Sequence, residues 1–451
     1  MSTASAKLTI SVVSGVKVRH GSHAVAHSIL SKIVILGLQA GTGILTARTL
    51  QPAGRGELAA MILWPLFMAS VTTLGVPSAL IYHLRQRPEE RERLIANGFL
   101  MATVLGVIAA AVAAFILPWW LRQYSASIIQ AAELFLLTVP ICSVTLAGRA
   151  ILEAFDQFST SNTIQTLTPF ATLVGLLALL AAHRLNPYTA AIAYIAASIP
   201  TFSLMVRGVR RAGLRNWHCN PAIMNLMMGY GVRSYGIDVL GTLALQVDQV
   251  LVVSLLSPSA MGSYVVVLSL SRMLNLFQNS VVMVLFPRAA GRSAGEVVAL
   301  TGNSVRISGL ITALSGIFVC VTGPTLLRIL YGKEYVGAIG ALRILVIEVV
   351  LSGATFVLAQ AFMALGRPGI VTILQAIGLS LSVPMMLLLI PRYGIYGAAV
   401  SLLTSTVARL LFIYTGFRIF LKVSPPRVLP DTQDVRLLLH TALSLRPERA
   451  T

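Results

Sequence analysis

Twelve long apolar stretches dominate the chain, and each is close to the length that a membrane-spanning helix needs. About 20 mostly apolar residues cross the hydrocarbon core of a bilayer as a helix. Strands of a membrane barrel would alternate apolar and polar residues, whereas residues 108–117 are apolar throughout. The pattern therefore predicts an all-α polytopic membrane protein. Its predicted spans lie near 29–48, 58–83, 98–118, 128–149, 163–182, 188–206, 232–256, 261–287, 302–321, 339–363, 370–390 and 396–418.

The composition agrees with this pattern and excludes the soluble classes. Hydrophobic residues make up 56% and charged residues 11% of the 451 residues, and the mean hydropathy is +0.82. A soluble domain carries about 25% charged residues. Three Cys are too few for a disulfide scaffold. The first residues lack the apolar core and cleavage site of a signal peptide, so residues 1–28 are predicted to be a cytoplasmic extension.

The excess of basic residues is explained by orientation in a membrane. The chain has 34 Lys and Arg against 15 Asp and Glu, a net charge of +19. Most of the basic residues fall in segments on the same side of the predicted spans as both termini. The positive-inside rule places that side in the cytoplasm, and the charges there attract anionic lipid headgroups. We therefore expect both ends to be cytoplasmic and expect no nucleic-acid partner.

An internal repeat relates the two halves of the chain. The motif Leu-x-Pro-x-x-x-Gly at 50–56 recurs at 256–262, which is 206 positions later. The motif Arg-x-x-x-Tyr at 184–188 recurs at 392–396. Two weaker matches at similar offsets pair Leu121-Arg122 with Leu327-Arg328 and Gln165 with Gln375.

The offset covers six predicted helices, so the two copies should have the same topology. Copies of that kind are related by an axis along the membrane normal. The chain is therefore predicted to form two six-helix lobes. The predicted segments are an N-lobe at 29–206, a basic linker at 207–222, a C-lobe at 223–420 and a basic cytoplasmic tail at 421–451.

Polar and charged side chains inside the spans are the candidates for a substrate pathway. A charge at the bilayer centre costs roughly 2.5–3.5 kcal/mol on insertion scales, so it persists where it faces a cavity or a partner. Arg272, Asn275 and Asn279 are spaced i, i+3, i+7, which predicts one polar face of span 8 for an anionic or hydroxyl-rich substrate. The other pathway candidates are Asp248, Asp238, Arg233, Arg306, Gln165 and Gln375. The candidate groups for ion coupling are Glu133, Glu348 and Asp248.

Each candidate also has a purely structural interpretation. Arg233 and Arg306 lie near predicted membrane boundaries, where snorkelling to headgroups explains a charged side chain. Asp248 could pair with a neighbouring Arg to hold the helices together. The polar face around Arg272 could be an interhelical hydrogen-bond cluster, and the two Gln residues could serve helix packing.

Enzyme signatures are missing from the sequence. It contains no Walker-A lysine loop, and its three Cys have neither ligand nor redox spacing. His20, His23 and His27 have no Cys or carboxylate beside them. We therefore predict a protein that is not an enzyme, with no cofactor and no metal site, and keep coupling to H+ or Na+ as a hypothesis.

Several loops resemble those of a known family. Leu-Gln-Pro-Ala-Gly-Arg-Gly at 50–56, Leu-Gly-Val-Pro-Ser-Ala at 74–79 and Tyr-Gly-Lys-Glu-Tyr at 331–335 are similar to loops of the bacterial polysaccharide-biosynthesis flippases. These belong to the multidrug/oligosaccharidyl-lipid/polysaccharide exporter superfamily. Glu57 departs from the family pattern, which has an aromatic residue near this position.

The resemblance implies two six-helix lobes with alternating access in the bacterial inner membrane. It implies a substrate made of a sugar repeat unit linked to undecaprenyl pyrophosphate, moved to the outer leaflet for exopolysaccharide, O-antigen or capsule. A polysaccharide polymerase and glycosyltransferases would be partners. The chemistry agrees, because Arg binds phosphate in bidentate fashion.

Three other functions stay open at this point. A multidrug exporter of the same superfamily would favour an acid-rich N-lobe, where Glu133 is the clear mid-span acid. A peptidoglycan-precursor flippase would carry two further helices. A non-transporting scaffold of a polysaccharide synthase would tolerate the loss of Arg272.

Overall fold

Helices account for all the regular secondary structure in the part of the chain that the structure describes. This computed structural model describes residues 4–212, 218–289 and 291–428. The α-helices are α1 (Ala4–Val71), α2 (Val76–Gln86), α3 (Arg91–Trp120), α4 (Ala126–Phe135), α5 (Val139–Ala154), α6 (Phe158–Ala181), α7 (Pro187–Ala196), α8 (Ser198–Ala212), α9 (Pro221–Leu255), α10 (Pro258–Arg272), α11 (Asn275–Ala289), α12 (Ala294–Leu326), α13 (Ile339–Ala364), α14 (Pro368–Tyr393) and α15 (Ile395–Ile419). Short 3-10 or π turns lie at Pro88–Glu90, Leu136–Thr138, Leu327–Tyr331 and Lys333–Ala338.

These helices have the length and apolarity of a polytopic membrane protein. Within the described ranges, 9 helices could cross a bilayer, and two bent pairs raise the number to 11. The first of them, Ser31–Val71, has 41 residues, roughly twice the length of one crossing. Gln51 interrupts it with φ 59 and ψ 178. Counting its two arms as separate spans would account for the twelve predicted stretches.

The second predicted span is shorter than expected. It was predicted as one helix over 58–83, whereas the helix ends at Val71 and α2 begins at Val76. Leu74 and Gly75 between them have φ values of 44 and 71. Left-handed backbone of this kind ends a helix, and Pro77 then suits the first turn of α2.

The chain divides into two compact units. Unit 1 comprises Met1–Thr46, Ala60–Trp120 and Ser125–Asp238, and unit 2 comprises Ala47–Ala59, Leu121–Tyr124 and Val239–Thr451. The core of unit 1 is built on α2, α3, α5 and α8. The core of unit 2 is built on α11, α13, α14 and α15. The first half of α9 belongs to unit 1, and the loop between the two arms of α1 belongs to unit 2. The boundaries of the predicted lobes do not coincide with these units, and they stay a prediction.

The two copies of the Leu-x-Pro-x-x-x-Gly motif contact each other within unit 2. A Cβ atom on Gly56 would lie 1.8 Å from the carbonyl oxygen of Pro258, and one on Gly262 would lie 1.9 Å from the carbonyl oxygen of Pro52. The contact is reciprocal, because each glycine lies against the proline carbonyl of the other motif. Only glycine allows two backbones to approach so closely.

The Arg-x-x-x-Tyr copies also make equivalent contacts, one in each unit. In unit 1 the hydroxyl of Tyr188 donates to Ser127 Oγ at 2.9 Å. In unit 2 the hydroxyl of Tyr396 donates to the carbonyl oxygen of Gly337 at 3.2 Å. Ser127 and Gly337 are themselves 210 positions apart. The repeat seen in the sequence is therefore also a repeat of tertiary contacts.

We expect Gly56→Ala to destabilise the protein strongly. The added methyl group meets backbone atoms of Pro258 that cannot rotate away, so the loss should exceed the usual overpacking cost of about 1–3 kcal/mol. Gly309→Ala is the matched control, because this helical glycine of α12 has nothing within 4 Å of its Cβ position. The control should be neutral or stabilising by up to about 1 kcal/mol. The free energies of unfolding of both variants, measured in detergent, test this expectation. Equal values for the two variants would contradict the close approach of the two motif backbones.

Candidate functional site

A buried ion pair between α9 and α10 is the centre of the candidate site in unit 2. Arg272 Nη2 donates to Asp248 Oδ2 at 3.0 Å. The Asp248 side chain is 1% exposed and that of Arg272 is 31% exposed. The Asp248 carboxylate is thus buried within the helix packing, while the Arg272 guanidinium is partly exposed.

Tyr264 holds the carboxylate of this pair from a third direction. Its hydroxyl donates to Asp248 Oδ2 at 2.8 Å, and the tyrosine is fully buried. The same oxygen of Asp248 therefore accepts two hydrogen bonds, whereas its buried Oδ1 accepts none from the described residues. A carboxylate held by a charged and a neutral donor has a fixed orientation, so the position of Arg272 is fixed as well.

A second polar group joins α13 to α15. Thr406 Oγ1 donates to Glu348 Oε1 at 2.7 Å and accepts from Arg409 Nη2 at 2.8 Å. Both Asp248 and Arg272 are within electrostatic range of Glu348. Together the two groups hold two acids and two arginines, so the cluster is neutral when all four are ionised.

Gln375 lies on α14, three residues before Gly378, and Gly378 packs on Arg409. A Cβ atom on Gly378 would lie 2.6 Å from Arg409 Cδ, so the glycine makes room for the arginine stem. Gln375 Oε1 and Arg409 Nε are both buried without a hydrogen-bond partner among the described residues. The assignment of Gln375 to a substrate pathway, or to helix packing, stays a prediction.

The predicted single polar face of span 8 is wrong. The helix α10 ends at Arg272 and α11 begins at Asn275, with a bend of 44° between them. The i, i+3, i+7 rule therefore does not apply across the break. Asn275 is half-buried and Asn279 is exposed.

Gln278 is instead the most deeply placed amide of this region. It is 2% exposed, and its Nε2 donates to Thr312 Oγ1 at 3.4 Å and to the carbonyl oxygen of Val349 at 3.3 Å. A Cβ atom on Gly353 would lie 1.7 Å from the Gln278 side chain. Gln278 therefore packs α11 against α12 and α13.

Of the remaining predicted residues, Arg233 and Glu133 belong to unit 1, whereas the cluster belongs to unit 2. Arg233 is exposed. Arg306 donates to Asn303 Oδ1 and to the carbonyl oxygen of Arg427, and its place in a pathway stays a prediction. Glu133 is half-buried in unit 1. The side chain of Asp238 lies outside the described residues.

Gln165 lines a cavity inside unit 1, together with residues of α1, α5, α7 and α8. The cavity volume is about 230 Å³. Gln165 belongs to unit 1 and the ion pair to unit 2, and the assignment of Gln165 to a substrate pathway stays a prediction.

Sequence reasoning missed Tyr264 and Thr406 as parts of the cluster. A signal for Tyr264 was present, because α9 and α10 are joined by a short turn at Leu256 and Ser257. In two antiparallel helices joined in this way, residues equally far from the turn face each other. Asp248 lies eight residues before Leu256 and Tyr264 lies seven residues after Ser257, so the two are within one residue of such a pair.

Comparison with known proteins decides the family. The profile of the polysaccharide biosynthesis protein family matches residues 45–340. The chain belongs to this family. The family expected from the loop motifs is thereby confirmed. A protein of Haloferax volcanii named as a probable low-salt glycan biosynthesis flippase is 25% identical over 150 residues, and the match spans 32% of each protein.

Three solved structures share the fold at low sequence identity. The lipid II flippase MurJ in an inward closed conformation has a TM-score of 0.75 at 12% identity, covering 95% of this chain and 93% of that one. A multidrug resistance MATE family transporter in an inward-facing conformation has a TM-score of 0.69 at 14% identity, covering 86% and 95%. An outward-facing MATE transporter gives 0.60 at 13% identity, covering 88% and 95%. These likenesses confirm the predicted all-α fold.

We expect Asp248→Asn to destabilise unit 2. Removing one partner of a buried pair costs about 3–5 kcal/mol, and the lower end applies because Arg272 is 31% exposed. Asp156→Asn is the control, since the Arg85–Asp156 pair is equally short at 2.8 Å but 52% and 76% exposed. An exposed pair contributes about 0–1 kcal/mol.

A double-mutant cycle separates the pair from its surroundings. Combining Asp248→Asn with Arg272→Gln should cost less than the sum of the two single changes, because the second change removes the unpaired charge. Unfolding free energies measured in detergent provide the comparison. Strictly additive losses would show that the two side chains do not interact.

Proposed function

We propose that this protein is a transporter that flips lipid-linked oligosaccharides. The substrate would be a sugar repeat unit on undecaprenyl pyrophosphate, moved from the cytoplasmic to the outer leaflet of the bacterial inner membrane for exopolysaccharide, O-antigen or capsule. The observation that carries the proposal is the partly exposed Arg272 guanidinium, held from behind by the buried Asp248.

The charged pyrophosphate is the part of such a substrate whose passage across the bilayer depends most on the protein. Its charge must cross about 30 Å of hydrocarbon. A guanidinium has five N–H donors and binds phosphate oxygens in pairs. Within the described residues, Arg272 uses Nη2 on Asp248, and its remaining donors are available to an anion. Asp248 prevents the arginine from being an uncompensated charge when no substrate is bound.

The sugar and the lipid would meet other surfaces. Asn275 and Asn279 lie on α11, three and seven residues after Arg272, and both side chains are at least partly exposed. Amide groups donate to and accept from sugar hydroxyls. The apolar prenyl chain does not require the charged cluster.

The proposed topology and cycle follow from the repeat and the charge distribution. We place both termini in the cytoplasm, in accord with the positive-inside rule. Alternating access between two lobes is supported by the fold shared with MATE transporters that have been solved in inward-facing and outward-facing conformations. We include a polysaccharide polymerase and glycosyltransferases as partners in the proposal, because a flipped repeat unit has to be made and then polymerised.

The proposal includes coupling to H+ or Na+, with Glu348 as the candidate group. Its carboxylate accepts from the neutral hydroxyl of Thr406, which in turn accepts from Arg409. Glu348 is thus linked to Arg409 through Thr406. Asp248 is less suited, since its Oδ2 accepts directly from both Arg272 and Tyr264.

Arg272→Ala should slow flipping strongly in protein that still inserts, although the variant loses stability because the buried Asp248 carboxylate loses its partner. Losing a charge-assisted bidentate contact of about 1.5–3 kcal/mol corresponds to roughly a 10- to 100-fold loss. Arg306→Ala is the matched control, because Arg306 is another arginine of unit 2 and donates to Asn303 Oδ1 and to the carbonyl oxygen of Arg427. The assay uses liposomes with fluorescent undecaprenyl-pyrophosphate disaccharide and an external quencher. Normal flipping by the Arg272 variant, or efflux of a cationic dye in place of flipping, would reject the proposal.

Flipping should also respond to an ion gradient through Glu348. In the same liposomes, the wild-type rate should rise when a proton or sodium gradient is imposed. Glu348→Gln should be insensitive to that gradient, because its amide cannot titrate. Full wild-type activity in the absence of any gradient would refute the coupling while leaving the substrate assignment intact.

A further inference from the structure

Unit 1 contains a cavity that no residue of the polar cluster lines. It lies between the second arm of α1 and the helices α5, α6, α7 and α8, and its volume is about 230 Å³. An apolar cavity of roughly 150 Å³ is enough for a benzene-sized ligand. The cavity therefore has room for a branched hydrocarbon segment.

Its wall combines an apolar surface with a single charge. The apolar part comes from aliphatic residues of four helices: Ile62, Pro65, Leu66, Ala69, Leu146, Ile164 and Ile195. Hydroxyl and amide groups, among them Thr145 and Gln165, interrupt this surface. Among the described residues of the wall, Arg149 is the charged one. Leu66 is 57% exposed and Thr168 is exposed, so the cavity opens on the side where these two residues lie.

Arg149 forms an ion pair with Glu153 but still has hydrogen-bonding capacity that the described residues do not use. Its Nη2 lies 3.7 Å from Glu153 Oε1, which is beyond hydrogen-bond distance. That oxygen of Glu153 already accepts from Ser161 Oγ at 2.7 Å. Arg149 Nε is buried and has no partner among the described residues. An anion at this end of the cavity would satisfy these donors.

We propose that this cavity binds the phosphate-proximal isoprenoid segment of a prenyl pyrophosphate, with the phosphate at Arg149. The inference rests on the proposed function, which supplies a lipid that has this chemistry. A mainly aliphatic wall suits the hydrocarbon, and a partly buried guanidinium suits the phosphate. The same positive charge disfavours a cationic drug as the occupant. The prenyl chain and its phosphate thus have a binding site within unit 1.

Cys142 offers a direct probe, because its thiol is part of the cavity wall. The chain has three cysteines, all free: Cys142, Cys219 and Cys320. The variant Cys219→Ser/Cys320→Ser keeps the cavity thiol alone. Its matched control, Cys142→Ser/Cys219→Ser, keeps the equally half-buried Cys320 in α12. Alkylation by N-ethylmaleimide, followed by mass spectrometry, reports the occupancy of the cavity.

Farnesyl pyrophosphate should slow the alkylation of Cys142 by about tenfold at saturation and leave Cys320 unchanged. Farnesol and inorganic pyrophosphate, each half of the ligand, should protect much less. In a background with Arg149→Gln, the farnesyl pyrophosphate concentration needed for protection should rise by about tenfold. Equal protection by dioleoyl phosphatidate would assign the cavity to membrane phospholipid and overturn the proposal. Protection by inorganic pyrophosphate alone would overturn it as well.

Direct binding provides a second measurement that does not depend on thiol reactivity. Tritiated farnesyl pyrophosphate should bind the wild type at least about tenfold more tightly than Thr145→Phe, whose ring fills the cavity. Unchanged binding by a folded Thr145→Phe protein would refute the cavity site. Flipping that persists in that variant while the Arg272 variant fails would leave the proposed function standing without the cavity.

Discussion

A charged side chain among packed apolar helices must find a partner, and the Asp248–Arg272 pair is where unit 2 meets this requirement. The carboxylate is 1% exposed and accepts from both Arg272 and Tyr264. Such a pair adds little net stability, yet removing one partner is costly. The arrangement allows a partly exposed arginine to lie among apolar helices, where an unpaired charge would be costly. The break between α10 and α11 follows directly after that arginine.

The two copies of the repeat make equivalent contacts. Its two Leu-x-Pro-x-x-x-Gly motifs meet reciprocally through Gly56 and Gly262. Its two tyrosines, Tyr188 and Tyr396, make equivalent bonds in their own units. The copies differ in chemistry, however. The ion pair and the Glu348 group lie in unit 2, whereas unit 1 holds an aliphatic cavity with Arg149 in its wall. Similar helical frames thus offer one surface suited to an anion and one suited to a hydrocarbon.

The sequence alone predicted the all-α fold, the repeat and both members of the central pair, because hydropathy, motif spacing and the cost of buried charge are local properties. The break in span 8 was not predictable, since Met273 and Leu274 at the break are neither Gly nor Pro. Nor was the inward position of Gln278, which depends on Gly353 in another helix. Arg149 stood at the predicted cytoplasmic end of span 4, and only tertiary packing places it in a cavity wall.

We propose that Arg272, oriented by Asp248, binds the phosphate of a lipid-linked substrate, and native mass spectrometry of the purified protein with undecaprenyl pyrophosphate and, separately, undecaprenol tests this contact. We expect the wild type to retain the pyrophosphate in preference to the alcohol. Arg272→Gln should lose this preference by about tenfold or more, while Arg306→Gln keeps it. An undiminished preference in the Arg272 variant would show that Arg272 does not bind the phosphate.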